Sequence, residues 1–157
     1  MFEIKNIAVS NEKAAICGKI LCALPDWFGN EEARDGYIEG SRDKPFFAAF
    51  RDSEAVGFAA VKAHNEHTAE IYVIGVFAEY HRMGAGRLLI QSCEEYCVRN
   101  GFSFLTVKTL AGLHPDEGYA RTRKFYLGTG FLPLEVFPLH WDVHNPCLFM
   151  AKFIKQS

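Results

Sequence analysis

The sequence predicts an α/β domain built on a mixed sheet of about six to seven strands flanked by about four helices. Three observations carry this. The apolar pattern switches between alternation and helical spacing in the order β-α-α-β-β-β-α-β-α-β-β. A long apolar strand, Thr68 to Phe77, leads through a Gly-x-Gly turn and an amphipathic helix, Gly84 to Val98, into the apolar strand Phe102 to Leu110. That order is a crossover between parallel neighbours. Short polar turns join earlier runs, as in antiparallel hairpins.

Each element has its own signal. Phe2 to Val9 reads as a first strand. Asn11 to Leu24 reads as a helix, with Ser10 or Asn11 as its cap and a stripe of Ala15, Ile16, Lys19-Ile20 and Ala23. Pro25 stops it, and the turn Leu24 to Asn30 carries Trp27 and Phe28 into a short acidic helix, Glu31 to Glu39. Pro45 to Arg51 and Ala55 to Ala63 form a hairpin about Asp52-Ser53-Glu54. His64 to Glu66 turn into the long strand. On the next helix Leu88, Leu89, Ser92, Cys93, Tyr96 and Cys97 share a face, and Asn100-Gly101 ends it. Phe102 to Leu110 is almost continuously apolar, as expected of a central, doubly covered strand. Ala111 to Gly118 reads as a loop with Pro115, and Tyr119 to Leu127 as a helix ended by Gly128-Thr129-Gly130. Phe131 to Phe137 is a strand, His140 to Pro146 a loop, and Cys147 to Ile154 the last strand.

A chain of 157 residues suits one domain, 1–157, with one sizeable core. Its 49% hydrophobic and 23% charged residues argue against disorder. A formal net charge of −2 offers no basic footprint for nucleic acid. No apolar run approaches the roughly 18 residues of a membrane span, and Met1-Phe2-Glu3-Ile4-Lys5 does not open like a signal peptide. Cys17, Cys22, Cys93, Cys97 and Cys147 make an odd set without Cys-x-x-Cys spacing, which points to free thiols in a cytoplasmic protein. His140 and His144 have a helical spacing, yet they lie beside Pro138 and Pro146 without the Glu of a metalloprotease motif. No metal is expected.

The stretch His81-Arg82-Met83-Gly84-Ala85-Gly86-Arg87 presents backbone N–H groups at a helix start, where a phosphate can be held. It is not a nucleotide P-loop, because Arg87-Leu88 stands where Lys-Ser/Thr is needed. It is not a dinucleotide fingerprint either, since Leu89 takes the place of the third glycine. A turn that merely starts a helix is the plain alternative.

The flanks resolve that choice. The spacing resembles the acetyl-CoA signature of the GNAT superfamily of N-acetyltransferases, Gln/Arg-x-x-Gly-x-Gly/Ala, with His81 in the first place and Gly84 and Gly86 in register. Val76, Glu79-Tyr80 and Leu88-Leu89 resemble the family as well, and Phe125-Tyr126 with Gly130-Phe131 is similar to its Phe-Tyr-x-x-x-Gly-Phe signature. The likeness covers nearly the whole chain and implies a GNAT-like fold and acetyl-CoA as acetyl donor. Tyr119 stands where many members carry an Asn that touches the cofactor.

Direct acetyl transfer requires a deprotonated amine, a polarised carbonyl and a proton for the departing thiolate. Glu70, eleven residues before His81, matches members whose base lies on this strand; otherwise it is a carboxylate balancing Lys62 or Lys108. His67 and Glu135 are rivals. Tyr126 is the candidate acid, and its alternative is a core aromatic, since it or Phe125 must face inward. The resemblance implies carbonyl polarisation by backbone N–H groups near Ile74, Gly75 and Val76, with Gly75 marking either a close approach or simple packing. The pyrophosphate would rest on the N–H groups of Arg82 to Arg87, helped by the Arg82 and Arg87 charges.

On the acceptor side, Trp27, Phe28 and Tyr37, together with Phe137, His140 and Trp141, offer walls for a pocket or ordinary packing. Asp26, Glu31, Glu32 and Asp35 can attract a cation or complement a helix dipole. The polar stretch Lys108 to Arg123 is expected along the cofactor groove, with Arg121 or Arg123 near a phosphate. The expected protein transfers acetyl to a small primary amine, as a monomer or homodimer. Protein acetylation and a non-catalytic acyl-CoA sensor are the alternatives.

Overall fold

Seven strands and four helices follow one another among the described residues, in the order the periodicities predict. The computed structural model describes residues 1–112 and 117–156, and the expected Pro115 turn lies outside them. The elements are β1 (Glu3–Asn6), α1 (Ser10–Cys22), α2 (Glu31–Gly40), β2 (Phe46–Arg51), β3 (Glu54–Ala63) and β4 (Thr68–Val76), then α3 (Ala85–Arg99), β5 (Phe104–Leu110), α4 (Glu117–Gly128), β6 (Leu132–Asp142) and β7 (Asn145–Phe153). The strands lie in the order β1-β2-β3-β4-β5-β7-β6. β4 and β5 run parallel, whereas β1–β2, β2–β3, β5–β7 and β6–β7 are antiparallel. Two compact units are distinguished: Met1–Ala63 with Ile71–Tyr96, and His64–Glu70 with Cys97–Ser157. β4 belongs to both.

In the first unit α1 buries Lys13, Ala14, Cys17, Ile20 and Leu21. This corrects the expected stripe, for Ala15 and Ala23 are exposed. Cysteine explains the rotation, since a reduced, fully buried Cys17 serves as a small hydrophobe at the centre of the face. The expected cap is also corrected. Ser10 already lies inside the helix, Val9 occupies the cap without a side-chain bond, and the Lys13 N–H closes on the Val9 carbonyl at 3.0 Å. α2 is capped as its sequence suggests, the Asn30 Oδ1 accepting from the Ala33 N–H at 2.9 Å.

The β2–β3 hairpin turns on Asp52 and Ser53, with φ of 51° and 71°, so Arg51 pairs with Glu54. Two left-handed residues are what a tight hairpin demands. Phe46 of β2 stacks on Phe58 of β3 at 5.1 Å. Along β4, Ala69, Ile71, Val73 and Gly75 are buried. A Cβ on Gly75 would come within 3.2–3.4 Å of Ile20, Leu24 and Leu21 of α1, so this glycine permits close strand–helix packing.

In the second unit the parallel ladder joins Thr68–Phe104, Ala69–Leu105 and Glu70–Thr106, while β5 pairs along its whole length with β7. β5 is thus the central strand its apolar run predicts. The expected loop His140 to Pro146 is overturned: β6 continues to Asp142, β7 starts at Asn145, and only Val143-His144 turn. Pro138 does not stop the strand because β6 is last in the sheet order, where a missing N–H need not break a ladder. The Asp142 carboxylate closes the turn, accepting from the His144 N–H at 2.8 Å and the Asn145 amide at 2.9 Å. No helix among the described residues is long and apolar enough to cross a membrane.

Candidate active site

The first unit holds the candidate phosphate turn. Arg82 and Gly84 adopt left-handed backbone, with φ of 65° and 95°. The Leu88 N–H closes on the Gly84 carbonyl at 3.1 Å and starts α3. The N–H groups of Ala85, Gly86 and Arg87 therefore fall in the first turn, where no intrahelical acceptor exists. A Cβ on Gly84 would meet nothing within 4 Å, so the turn is open at this residue. Ala85 is buried and anchors the helix start, while Arg82, Met83 and Arg87 are exposed. Such an open turn suits a pyrophosphate. Nothing in the sequence signalled the conformation of Arg82, since arginine has no preference for positive φ.

His81 contributes a side chain to this arrangement. Its Nε2–H donates to the Val76 carbonyl at 2.7 Å, tying the turn back to the end of β4. The carbonyl only accepts, so the proton sits on Nε2. Trp27 meets the His81 ring edge-on, with centroids 5.6 Å apart. Ile74 and Val76 are half-buried on the side of β4 opposite Gly75.

The second unit holds a buried carboxylate. Glu70 is 7% exposed; its Oε1 lies 2.7 Å from the His64 Nε2 and its Oε2 2.8 Å from the Lys108 Nζ. Three elements meet here: His64 follows β3, Glu70 lies on β4 and Lys108 on β5. A buried carboxylate needs such compensation. Of the two lysines considered, Lys108 is the partner, and Lys62 is exposed. His64 is the participant that sequence reasoning missed. Cys147 of β7 lies in the same field: burial pushes its thiol up, and the Lys108 charge opposes that. The rivals sit outside this group, His67 exposed against Glu66 at 3.3 Å and Glu135 exposed on β6.

Tyr126 is fixed by the end of α4. The Gly130 N–H bonds the Leu127 carbonyl at 3.1 Å and the Phe131 N–H bonds the Tyr126 carbonyl at 3.0 Å, with Gly130 at φ of 100°. This is the two-bond glycine closure of a helix, and its usual apolar clasp is the Phe131 ring edge-on to Tyr126 at 5.6 Å. The Phe-Tyr-x-x-x-Gly-Phe spacing is thus a helix stop that sets the tyrosine. Tyr126, 4% exposed, is the inward member of the aromatic pair. Arg123 donates to the Leu110 and Ala111 carbonyls at 2.9 and 3.1 Å, which engages it at the end of β5. Arg121 is exposed and Tyr119 half-buried on α4.

The aromatic residues divide. Phe28 meets Tyr37 at 5.9 Å and Tyr37 meets Tyr72 at 5.3 Å, both edge-on, within the first unit. Tyr72, which carries the Lys44 ammonium 4.2 Å over its ring, was not among the expected lining residues. Trp27 joins His81 instead. In the second unit the exposed Trp141 lies against His140 at 5.5 Å. Asp26, Glu31, Glu32 and Asp35 are exposed. Among the described residues no three His, Cys, Asp or Glu side chains converge as metal ligands.

Comparison with known proteins gives these features a lineage. An N-acetyltransferase of Chlorobaculum tepidum is 31% identical over 93 residues, a stretch that spans 59% of this chain and 59% of that protein. A GNAT-family protein of Desulfovibrio desulfuricans shares the fold with a TM-score of 0.84 at 18% identity, over 99% of this chain and 100% of the other. An aminoglycoside 6'-N-acetyltransferase solved with coenzyme A gives 0.79 at 17% identity, over 99% and 98%. Residues 16–131 match the model of the acetyltransferase (GNAT) family. That match takes in α2, the phosphate turn, the β4 carboxylate and the closure of α4, and the chain belongs to the GNAT family of acetyltransferases.

Proposed function

We propose that the protein is a cytoplasmic N-acetyltransferase that passes acetyl from acetyl-CoA to a primary amine of a small molecule, by direct attack in a ternary complex. The observation that carries the reading is the left-handed turn at Arg82–Gly84, open at Gly84, from which α3 starts. The N–H groups of Arg82 to Arg87 hold the pyrophosphate, and the Arg82 and Arg87 charges add to the helix dipole. Acetyl-CoA supplies an activated acetyl thioester. Backbone N–H groups near Gly75 and Val76 polarise its carbonyl, the site around Glu70 removes the amine proton, and Tyr126 gives a proton to the departing thiolate.

A tyrosine at its ordinary pKa near ~10 is protonated at neutral pH and can serve a thiolate whose conjugate acid lies near ~8.5. A covalent acyl-cysteine is not part of the reading, because no cysteine stands in the Gly-x-Gly turn; Cys17, moreover, is buried and its thiol pushed up to about 12, mainly by burial. The small-amine acceptor rests on the Phe28–Tyr37–Tyr72 cluster and on the carboxylates of the α1–α2 turn and α2. All five thiols are free, which agrees with a reducing compartment.

The test is a panel of small amines and peptides with acetyl-CoA, read by release of CoA thiol. Turnover of a small amine above the peptides supports the proposal, and preference for peptides overturns its acceptor class. Acetyl-CoA binding without turnover on any acceptor would show a sensing module instead.

A further inference from the structure

We propose that His64 is the group that takes the proton from the acceptor amine, with Glu70 acting behind it as a positioning residue. This deepens the acetyltransferase reading and rests on it. A carboxylate can only accept, so the 2.7 Å contact places a proton on the His64 Nε2, and in the neutral ring Nδ1 is then the lone-pair nitrogen. Among the described residues no hydrogen bond occupies Nδ1. The exposure of the pair points the same way: the His64 side chain is 35% exposed and that of Glu70 only 9%. The imidazole is the member that an acceptor or water can reach.

Glu70 is poorly placed to act directly. Both of its oxygens are engaged, one by His64 and the other by the Lys108 ammonium. Lys108 compensates the buried charge, and His64 is oriented by it. This is the logic of a base held by a carboxylate on its far nitrogen. Besides its own two members, the charged and titratable groups shown against the pair are Lys108 of β5 and Cys147 of β7, whose thiol burial pushes up.

In the step itself one N–H bond of the acceptor ammonium breaks and its proton passes to Nδ1. The imidazolium so formed is held by the Glu70 carboxylate and gives the proton to solvent from its exposed edge. The amine keeps its electron pair for attack. Nitrogen forms its bond to the acetyl carbon as the carbon–sulfur bond breaks, and the second proton, released from nitrogen as the amide forms, replaces the one Tyr126 gives to the thiolate.

Substitution of His64 tests this. His64→Gln keeps a donor for Glu70 but cannot take a proton, so kcat should fall about 10²-fold with acetyl-CoA affinity unchanged. Free imidazole should restore part of the rate to His64→Ala. Glu70→Gln should lower kcat, and adding His64→Gln to it should cost little more, because the carboxylate acts only through the imidazole. In the isolated wild-type chain, nitrogen NMR should show His64 as the Nε2–H tautomer. Wild-type kcat in His64→Gln, or an Nδ1–H tautomer, overturns the relay and leaves the acetyltransferase reading standing. A wild-type chain that binds acetyl-CoA but turns over no amine overturns both.

Discussion

At the scale of single residues, the chemistry divides between groups whose roles follow local rules and groups that only the fold assembles. Tyr126 is of the first kind, because five residues fix it: the glycine closure turns on Gly130, and Phe131 packs on its ring. Tyr126→Phe keeps that packing and removes only the hydroxyl. The expected result is a kcat lower by about 10²-fold with acetyl-CoA affinity intact, measured by calorimetry beside steady-state rates. Gly84 is similar, since its φ of 95° excludes ordinary side chains while its surroundings are open. Gly84→Val should leave a folded protein that binds acetyl-CoA at least about tenfold more weakly, the left-handed strain amounting to roughly 1–2 kcal/mol. Normal affinity would remove the turn from the phosphate site. His64 and Tyr72 are of the second kind. Neither stands in a motif, and His64 meets Glu70 only because the chain bends at 64–67 before β4 begins.

At the scale of elements, the order is legible, and one helix face and one strand boundary are not. α1 was given the wrong face because counting aliphatic residues overlooked Cys17, whose burial sets the helix rotation. β6 was cut short because Pro138 reads as a terminator, and prolines lose that meaning on an outermost strand. The corrected hairpin makes a pH prediction. Hydrogen bonds from the Asn145 side chain and the His144 N–H hold the Asp142 carboxyl below its usual range. A depressed folded pKa stabilises the turn at all pH above the unfolded value near ~3.9 and loses that contribution as pH falls through the lower folded one. Amide exchange at His144 should therefore stay protected at neutral pH and quicken only in strong acid. Asp142→Ala should lower the protection at neutral pH and converge with the wild type in strong acid, and equal protection in the variant at neutral pH would deny the carboxylate this role.

At the scale of the whole chain, the strand and helix sequence and the parallel crossover were readable from periodicity alone, and two spaced motifs named the family. What periodicity does not carry is which side chains meet across distant strands, as Glu70 and Lys108 do over 38 residues. Thiol chemistry surveys the chain as a unit: four of the five cysteines are buried and Cys22 is exposed. One thiol should react promptly with an alkylating reagent in the native protein, and the other four only after denaturation; a second fast thiol would contradict the burial of Cys17, Cys93, Cys97 or Cys147. The outermost strand has a consequence of another sort. β6 exposes Leu132, Leu134, Leu139 and Trp141 at the open margin of the sheet, the setting in which one molecule's strand templates another's. Pro133, Pro138 and two register slips interrupt that margin, so it offers no continuous rail for a foreign strand. The prolines of this outermost strand thus make it a poor template for a second chain.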